Sequence, residues 1–174
     1  MTAQEFASAA LQRERRQLTI LFCDLAGSTA LSASMDPEDF GEILGAYFEL
    51  CNAIFKRYRA FVDREEGDSL RVYFGYPAAH DDDALRAVHA ALEIVTAVAQ
   101  LGARFGCRLA VHIGIHTGEV IAGGSEVDGN GGPRVVGQTP NVARRLQELA
   151  PPDCLYVSAT THSLVERQFE AEAL

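Results

Sequence analysis

Apolar and polar positions along the chain follow two rhythms. Leu18-Thr19-Ile20-Leu21-Phe22-Cys23 is a nearly unbroken apolar run that ends in Asp24, and it reads as a largely buried strand. Phe40, Ile43, Leu44, Tyr47, Phe48, Cys51, Ile54, Phe55 and Tyr58 then recur every three to four residues, which predicts a long helix whose broad stripe packs on a sheet. Asp36-Pro37-Glu38-Asp39 marks the start of that helix, with a capping Asp, a Pro at the first helical position and acids where the dipole favours them. Two short strands follow, Phe61 to about Glu66 and then Leu70, Val72 and Phe74 alternating with Arg71 and Tyr73, as a hairpin with Asp68 at its tip. His80-Asp81-Asp82-Asp83 opens a second helix with Leu85, Val88, Leu92, Val95 and Ala99 as its inner stripe and a stop near Gly102.

Further on, Leu109, Val111, Ile113 and Ile115 alternate with His112 and His116, a strand signal, and Gly118 is expected to turn the chain into a second arm over 119–122. The glycine-rich stretch 123–132 reads as an excursion suited to reaching a neighbour. Thr139 and Pro140 begin a third helix that carries Val142, Leu146 and Leu149 inward; Cys154-Leu155-Tyr156-Val157 is a last strand, and Ser158 caps a short final helix. Residues 1–16 form a helical lead-in or linker, and 17–174 form one domain. The order is β-α-β-β-α-β-β-α-β-α, an α+β pattern in which helices cover one face of a largely antiparallel, ferredoxin-like or palm-like sheet.

Composition narrows the function classes. At 174 residues with 48% hydrophobic content the chain supports one domain with a sizeable core, and its net charge of −9 argues against a broad nucleic-acid interface. Cys23, Cys51, Cys107 and Cys154 show no CxxC spacing, which suggests reduced thiols and a cytoplasmic setting. No apolar run approaches the ~18 residues that span a bilayer, so membrane contact is not indicated.

Three places carry candidate chemistry. The strand ending in Asp24 delivers a carboxylate beside the turn Ala26-Gly27-Ser28-Thr29, whose backbone N–H groups suit a phosphate next to a divalent metal; a strand-closing Asp and an ordinary turn explain the same residues. Asp68 sits beside Glu65 and Glu66, where a solvated turn is the plain alternative. Asn141 and Arg145 are i and i+4 near a helix N-terminus, where amide, guanidinium and dipole together favour an anion. His112 and His116 lie roughly 13 Å apart along a strand, too far to chelate one ion.

Taken in order, Phe22-Cys23-Asp24-Leu25-Ala26-Gly27-Ser28-Thr29, Glu66-Gly67-Asp68-Ser69-Leu70, Val72-Tyr73-Phe74-Gly75-Tyr76-Pro77, His80-Asp81-Asp82-Asp83, Gly114-Ile115-His116-Thr117-Gly118 and Val136-Gly137-Gln138-Thr139-Pro140-Asn141-Val142-Ala143-Arg144-Arg145-Leu146 resemble the class III nucleotidyl cyclase catalytic domain of bacterial type. The resemblance implies a head-to-tail homodimer with sites at the interface. One protomer supplies the metal site at Asp24, Leu25 and Asp68, and the other supplies Asn141 and Arg145 for the transition state. Two divalent ions, Mg²⁺ or Mn²⁺, are implied, with Ala26, Gly27, Ser28 and Thr29 cradling phosphates. The implied reaction converts a nucleoside triphosphate, ATP more than GTP, to its 3′,5′-cyclic monophosphate and pyrophosphate.

Two positions depart from the adenylate-forming pattern: Arg64, where Lys is usual, and Arg134, where Asp or Thr is usual. Both are base-reading positions, and arginine's planar fork also suits the O6/N7 edge of guanine. The family usually continues into a strand with a triphosphate-binding Lys, which the chain to Leu174 does not supply. These departures predict weak turnover or, as the alternative, a non-catalytic module that dimerises or binds nucleotide.

Overall fold

A computed structural model describes residues 13–125 and 133–173, with the backbone alone at 64–66 and 124–125. Six strands form one sheet: β1 (Glu14–Leu25), β2 (Phe61–Glu66), β3 (Ser69–Phe74), β4 (Val111–Ser125), β5 (Pro133–Val136) and β6 (Cys154–Val157). The order across the sheet is β2-β3-β1-β4-β5, with β6 also on β4. Every pairing is antiparallel except β4 with β6. Five helices, α1 (Ser28–Ser34), α2 (Pro37–Arg57), α3 (Asp83–Arg104), α4 (Thr139–Leu149) and α5 (Ala159–Val165), complete the α+β architecture among the described residues.

β1 is the spine, because successive side chains of a strand face opposite ways and both faces of this one are covered. Leu21, Cys23 and Leu25 join the main core under α2 and α3. Leu18, Ile20 and Phe22 form a second core with Tyr73, Val120 and Ala122, closed by Ala143 of α4. Helices therefore cover both faces rather than the one expected. α2 matches its pattern: Ile43, Tyr47, Cys51, Ile54 and Phe55 are buried, Pro37 opens the helix, and Asp36 Oδ1 accepts from the Glu38 amide at 2.9 Å.

The remaining differences have local causes. Glu14–Arg16, expected in a helical lead-in or linker, is extended because it pairs with β4 over Glu14↔Ala122 to Arg16↔Val120; residues 1–12 lie outside the described ones. Gly118 is not a turn, and β4 runs unbroken from Val111 to Ser125 against β1. The second arm comes instead from 133–136, and 126–132 of the glycine-rich stretch lie outside the described residues. Ser28–Ser34 is a short helix that the polar pattern did not signal, since it buries no residue fully.

The inner face of α3 is made of small residues, Ala84, Ala87, Ala90 and Ala91, together with Val88, Ile94, Val98 and Leu101, and it runs on past Gly102 to Arg104. Leu92 and Ala99, expected inside, are exposed. Although its sequence holds no unbroken apolar run, the helix meets the length and mean hydropathy of a membrane span, with 44% of that window buried inside the fold.

α4 departs most. Ala143 and Gln147 face the sheet, whereas Val142 is 36% and Leu149 59% exposed. Gly114 explains this: a Cβ there would lie 2.2 Å from the Gln147 amide nitrogen and 2.4 Å from the Ala143 carbonyl oxygen, so the α4 backbone rests directly on β4. With so little space, only small or slender side chains fit beneath the helix; its apolar stripe lies at the flank, with Leu146 half-buried and Val142 and Leu149 exposed. Gly114→Ala is therefore expected to cost about 1–3 kcal/mol in urea unfolding. Gly118→Ala, which would meet the Thr139 hydroxyl at 2.7 Å, is expected to cost less because a side chain can rotate away. Equal stabilities would contradict the close approach.

Candidate functional site

Asp24 follows Phe22 by two in an unbroken ladder and shares its face, opposite His112 of β4. Asp68 reaches the same place from the β2–β3 turn, where Gly67 takes φ +64, a conformation glycine adopts without strain. The two carboxylates confront each other. Asp24 Oδ1 and Asp68 Oδ2 are buried, and neither has a hydrogen-bond partner. Burial, then the charge of Asp68, pushes the Asp24 carboxyl up to about 6, while His112 pulls it down by less.

Buried polar atoms in folded proteins are almost always satisfied, and like charges left facing in a low dielectric cost several kcal/mol. Two orphaned carboxylate oxygens therefore fit a hard cation, which prefers oxygen ligands. The Leu25 side chain is buried in the main core, so only its backbone can serve such an ion. No group of three or more His, Cys, Asp or Glu side chains that could hold a metal occurs among the described residues. His112 and His116 stay apart, as expected: His112 Nδ1 lies 2.6 Å from the Ala150 carbonyl and His116 Nδ1 2.7 Å from Ser158 Oγ.

The turn after Asp24 leads straight into α1. Ser28 and Thr29 lie in its first turn, where amides have no intrahelical acceptor, and Gly27 caps it at φ +70. Ala26 differs from expectation, because its amide donates to the Ala110 carbonyl at 2.9 Å and is committed to the fold.

Asn141 and Arg145 are exposed on α4. Two residues from Ala143, they project from the side of the helix away from the sheet. Among the described residues neither bonds to Asp24 or Asp68; Arg145 comes only within 4.0 Å of Glu148. The structure thus joins the two aspartates and leaves the amide and guanidinium facing outward.

The base-reading candidates also separate. Arg64 pairs with Arg71 in the β2–β3 ladder, and its side chain lies outside the described ones. Arg134 lines a pocket of about 300 Å³ with Arg13, Arg15, Ile121 and Val136. Since Val120, Ala122 and Val135 belong to the Phe22 core, this pocket opens on the face opposite Asp24. The sequence reading missed a buried network beside Arg64, in which Asp63 accepts from Arg71 and Tyr73. Its only signal was a carboxylate in the middle of a strand.

Comparison with known proteins shows the family of this fold. The family model for the adenylate and guanylate cyclase catalytic domain matches residues 11–174. An adenylate cyclase from Anabaena cylindrica is 30% identical over 142 residues, 77% of this chain and 27% of that protein. The chain spans between 15% and 27% of the first curated relatives it matches. Among solved structures, the guanylyl cyclase Cya2 superposes with a TM-score of 0.82 at 31% identity, covering 88% of this chain and 80% of that one. The adenylyl cyclase CyaB from P. aeruginosa gives 0.86 at 26% identity, covering 91% and 84%. The chain belongs to the adenylate and guanylate cyclase catalytic domain family, the class III cyclases.

Proposed function

We propose that the chain converts a nucleoside triphosphate to its 3′,5′-cyclic monophosphate and pyrophosphate, with ATP preferred over GTP, at sites shared by two copies. The observation that carries this reading is the orphaned pair of oxygens on Asp24 and Asp68. Two divalent ions held there would supply Lewis-acid activation of the ribose 3′-hydroxyl and neutralise the departing pyrophosphate. The first-turn amides of Ser28 and Thr29, with Gly27, receive the β- and γ-phosphates next to those carboxylates. Arg145 offsets charge that builds on the α-phosphoryl oxygens, and Asn141 orients the ribose.

Asn141 and Arg145 face outward in their own chain, which supports a head-to-tail dimer in which they complete the partner's carboxylate pair. The exposed apolar residues Val142 and Leu149 on the same helix support a covered surface there. Arg64 and Arg134 read the base; Arg134, across the sheet from Asp24 in its own chain, acts on nucleotide held by the partner's carboxylates.

Purified protein with Mn²⁺ and ATP or GTP is expected to yield cyclic product, more from ATP. Asp24→Ala and Arg145→Ala are each expected to abolish it while remaining folded. An equimolar mixture of the two variants is expected to regain about a quarter of wild-type activity, since half the dimers carry one intact site of two. A mixture that stays inactive although heterodimers form would contradict the shared site, and absence of product at high protein concentration would favour the non-catalytic module.

The Asp24 carboxyl also gives a pH dependence without turnover. Its folded pKa, about 6, exceeds its ordinary 3.8, so the folded state holds the proton more tightly. Stability of the metal-free protein is then expected to fall as pH rises from about 4 through about 6. Mn²⁺ affinity is expected to tighten over the same window, because proton and metal compete for the pair. Thermal melts and calorimetric Mn²⁺ titrations check this; Asp24→Asn should flatten the melt profile and weaken Mn²⁺ binding. A wild-type profile that matches the variant's would count against the buried pair.

A further inference from the structure

We propose that Thr139 is a positioning residue for the reaction: its hydroxyl, bonded to the Glu119 carbonyl, fixes the start of α4 on β4 and so sets where Asn141 and Arg145 project. The inference rests on the reading of those two residues as the half of the site that one copy presents to the other.

Threonine at a helix start commonly turns its hydroxyl back on the helix it opens. Thr139 does not. The cap position of α4 belongs to Gln138, whose side chain makes no capping bond, and Thr139 Oγ1 donates instead to the Glu119 carbonyl at 2.9 Å. The residue is only 3% exposed, so the bond is shielded from water. It lies just beyond the end of the β4–β5 ladder, where Val136 stands opposite Ile121. A hydroxyl from α4 thus takes up a β4 carbonyl where β5 has stopped.

Gly118 makes room for this bond. A Cβ there would lie 2.7 Å from Thr139 Oγ1 and 3.4 Å from its Cγ2. Gly114, four residues earlier on the same face of β4, makes room for the Gln147 amide and the Ala143 carbonyl in the same way. Thr139, Ala143 and Gln147 are the buried residues of α4, and their spacing of four sets them in one line along the helix. The helix is therefore seated at two points, by backbone contact at Gly114 and by a hydrogen bond beside Gly118. A single seat leaves a helix free to pivot and roll about it. The second seat removes that freedom, and a hydrogen bond is directional where a van der Waals contact is not.

Asn141 stands roughly 200° around the helix from Thr139, and Arg145 the same angle from Ala143. Rolling α4, or lifting its first turn, would swing both outward groups relative to the sheet. Asn141 moves most, since it lies in the same turn as the tether. The contact of one buried hydroxyl with one carbonyl is thereby read out at the exposed face of the helix.

The test separates position from stability. Thr139→Val keeps the branched shape and removes the hydroxyl, whereas Thr139→Ser keeps the hydroxyl. Initial rates with Mn²⁺ and ATP are measured for the wild type, both variants, Gly118→Ala and Gly118→Ala/Thr139→Val, alongside calorimetric Mn²⁺ titrations without nucleotide. Thr139→Val is expected to lower kcat by at least about tenfold, because small displacements of groups that act on the transition state are costly in rate. Its Mn²⁺ affinity is expected to be unchanged, since Asp24 and Asp68 sit on other elements. Thr139→Ser is expected to restore kcat to near the wild-type value. Gly118→Ala pushes the hydroxyl off the carbonyl and is expected to reproduce the loss, with the double variant no slower than Thr139→Val because both act on one link.

Mixing assigns the defect to α4. Thr139→Val with Asp24→Ala is expected to regain activity above that of either variant, because one site then joins intact carboxylates to an intact α4. Thr139→Val with Arg145→Ala is expected not to, and a variant that is merely less stable would lower both mixtures alike. Gly118→Ala carries the test if Thr139→Val fails to fold. An unchanged kcat in folded Thr139→Val or Gly118→Ala, or a loss that serine does not restore, would overturn the positioning role alone. Absence of product from the wild type would overturn the cyclase reading, and this inference with it.

Discussion

The alternation of β1 is the constraint on which the rest depends. Twelve residues pair with β4 without a break, so every second side chain is committed to one face. Leu21, Cys23 and Leu25 anchor α2 and α3, while Leu18, Ile20 and Phe22 build the core that α4 closes. Asp24 inherits its direction from this ladder. A carboxylate at the end of such a strand has little freedom to escape its neighbour, and the β2–β3 turn holds Asp68 against it. Burial and mutual repulsion of the two carboxylates then become a standing electrostatic debt that a cation can discharge.

The same ladder explains why the two groups of candidate residues lie apart within one chain. Gly114 on β4 brings the α4 backbone onto the sheet, which leaves Ala143 and Gln147 inside and turns Asn141 and Arg145 outward. The groups suited to a metal and those suited to a developing phosphoryl charge are thereby presented on surfaces that a second copy can bring together. Packing dictates this separation before any chemistry is considered.

Much of this was legible in the residues. The apolar run into Asp24, the capped stripe of α2 and the hairpin around Gly67 each follow from local rules, and the structure has them in place. The α+β class and the family followed from the ordered motifs. What escaped were features set by partners distant in sequence. Gly118 reads as a turn locally, yet a paired β1 keeps β4 straight through it. Val142, Leu146 and Leu149 form a true helical stripe, but period alone does not say which side meets the sheet; a glycine on another strand decides that. The extended run Glu14–Arg16 is charged and looks helical until β4 is available to pair with it. The Asp63 network links residues eight and ten positions apart across two strands, a pairing that no alternation pattern announces.

The central claim is that Asp24 and Asp68 form one half of a cation site completed by the α4 face of a second copy. Anomalous diffraction at the manganese edge, on crystals of the chain with Mn²⁺ and α,β-methylene ATP, tests it most directly. The account predicts manganese bound between the Asp24 and Asp68 carboxylates, with Asn141 and Arg145 of the other copy at the ribose and α-phosphate. Manganese bound elsewhere, or nucleotide contacted by Asn141 and Arg145 of the same chain that holds the metal, would contradict it.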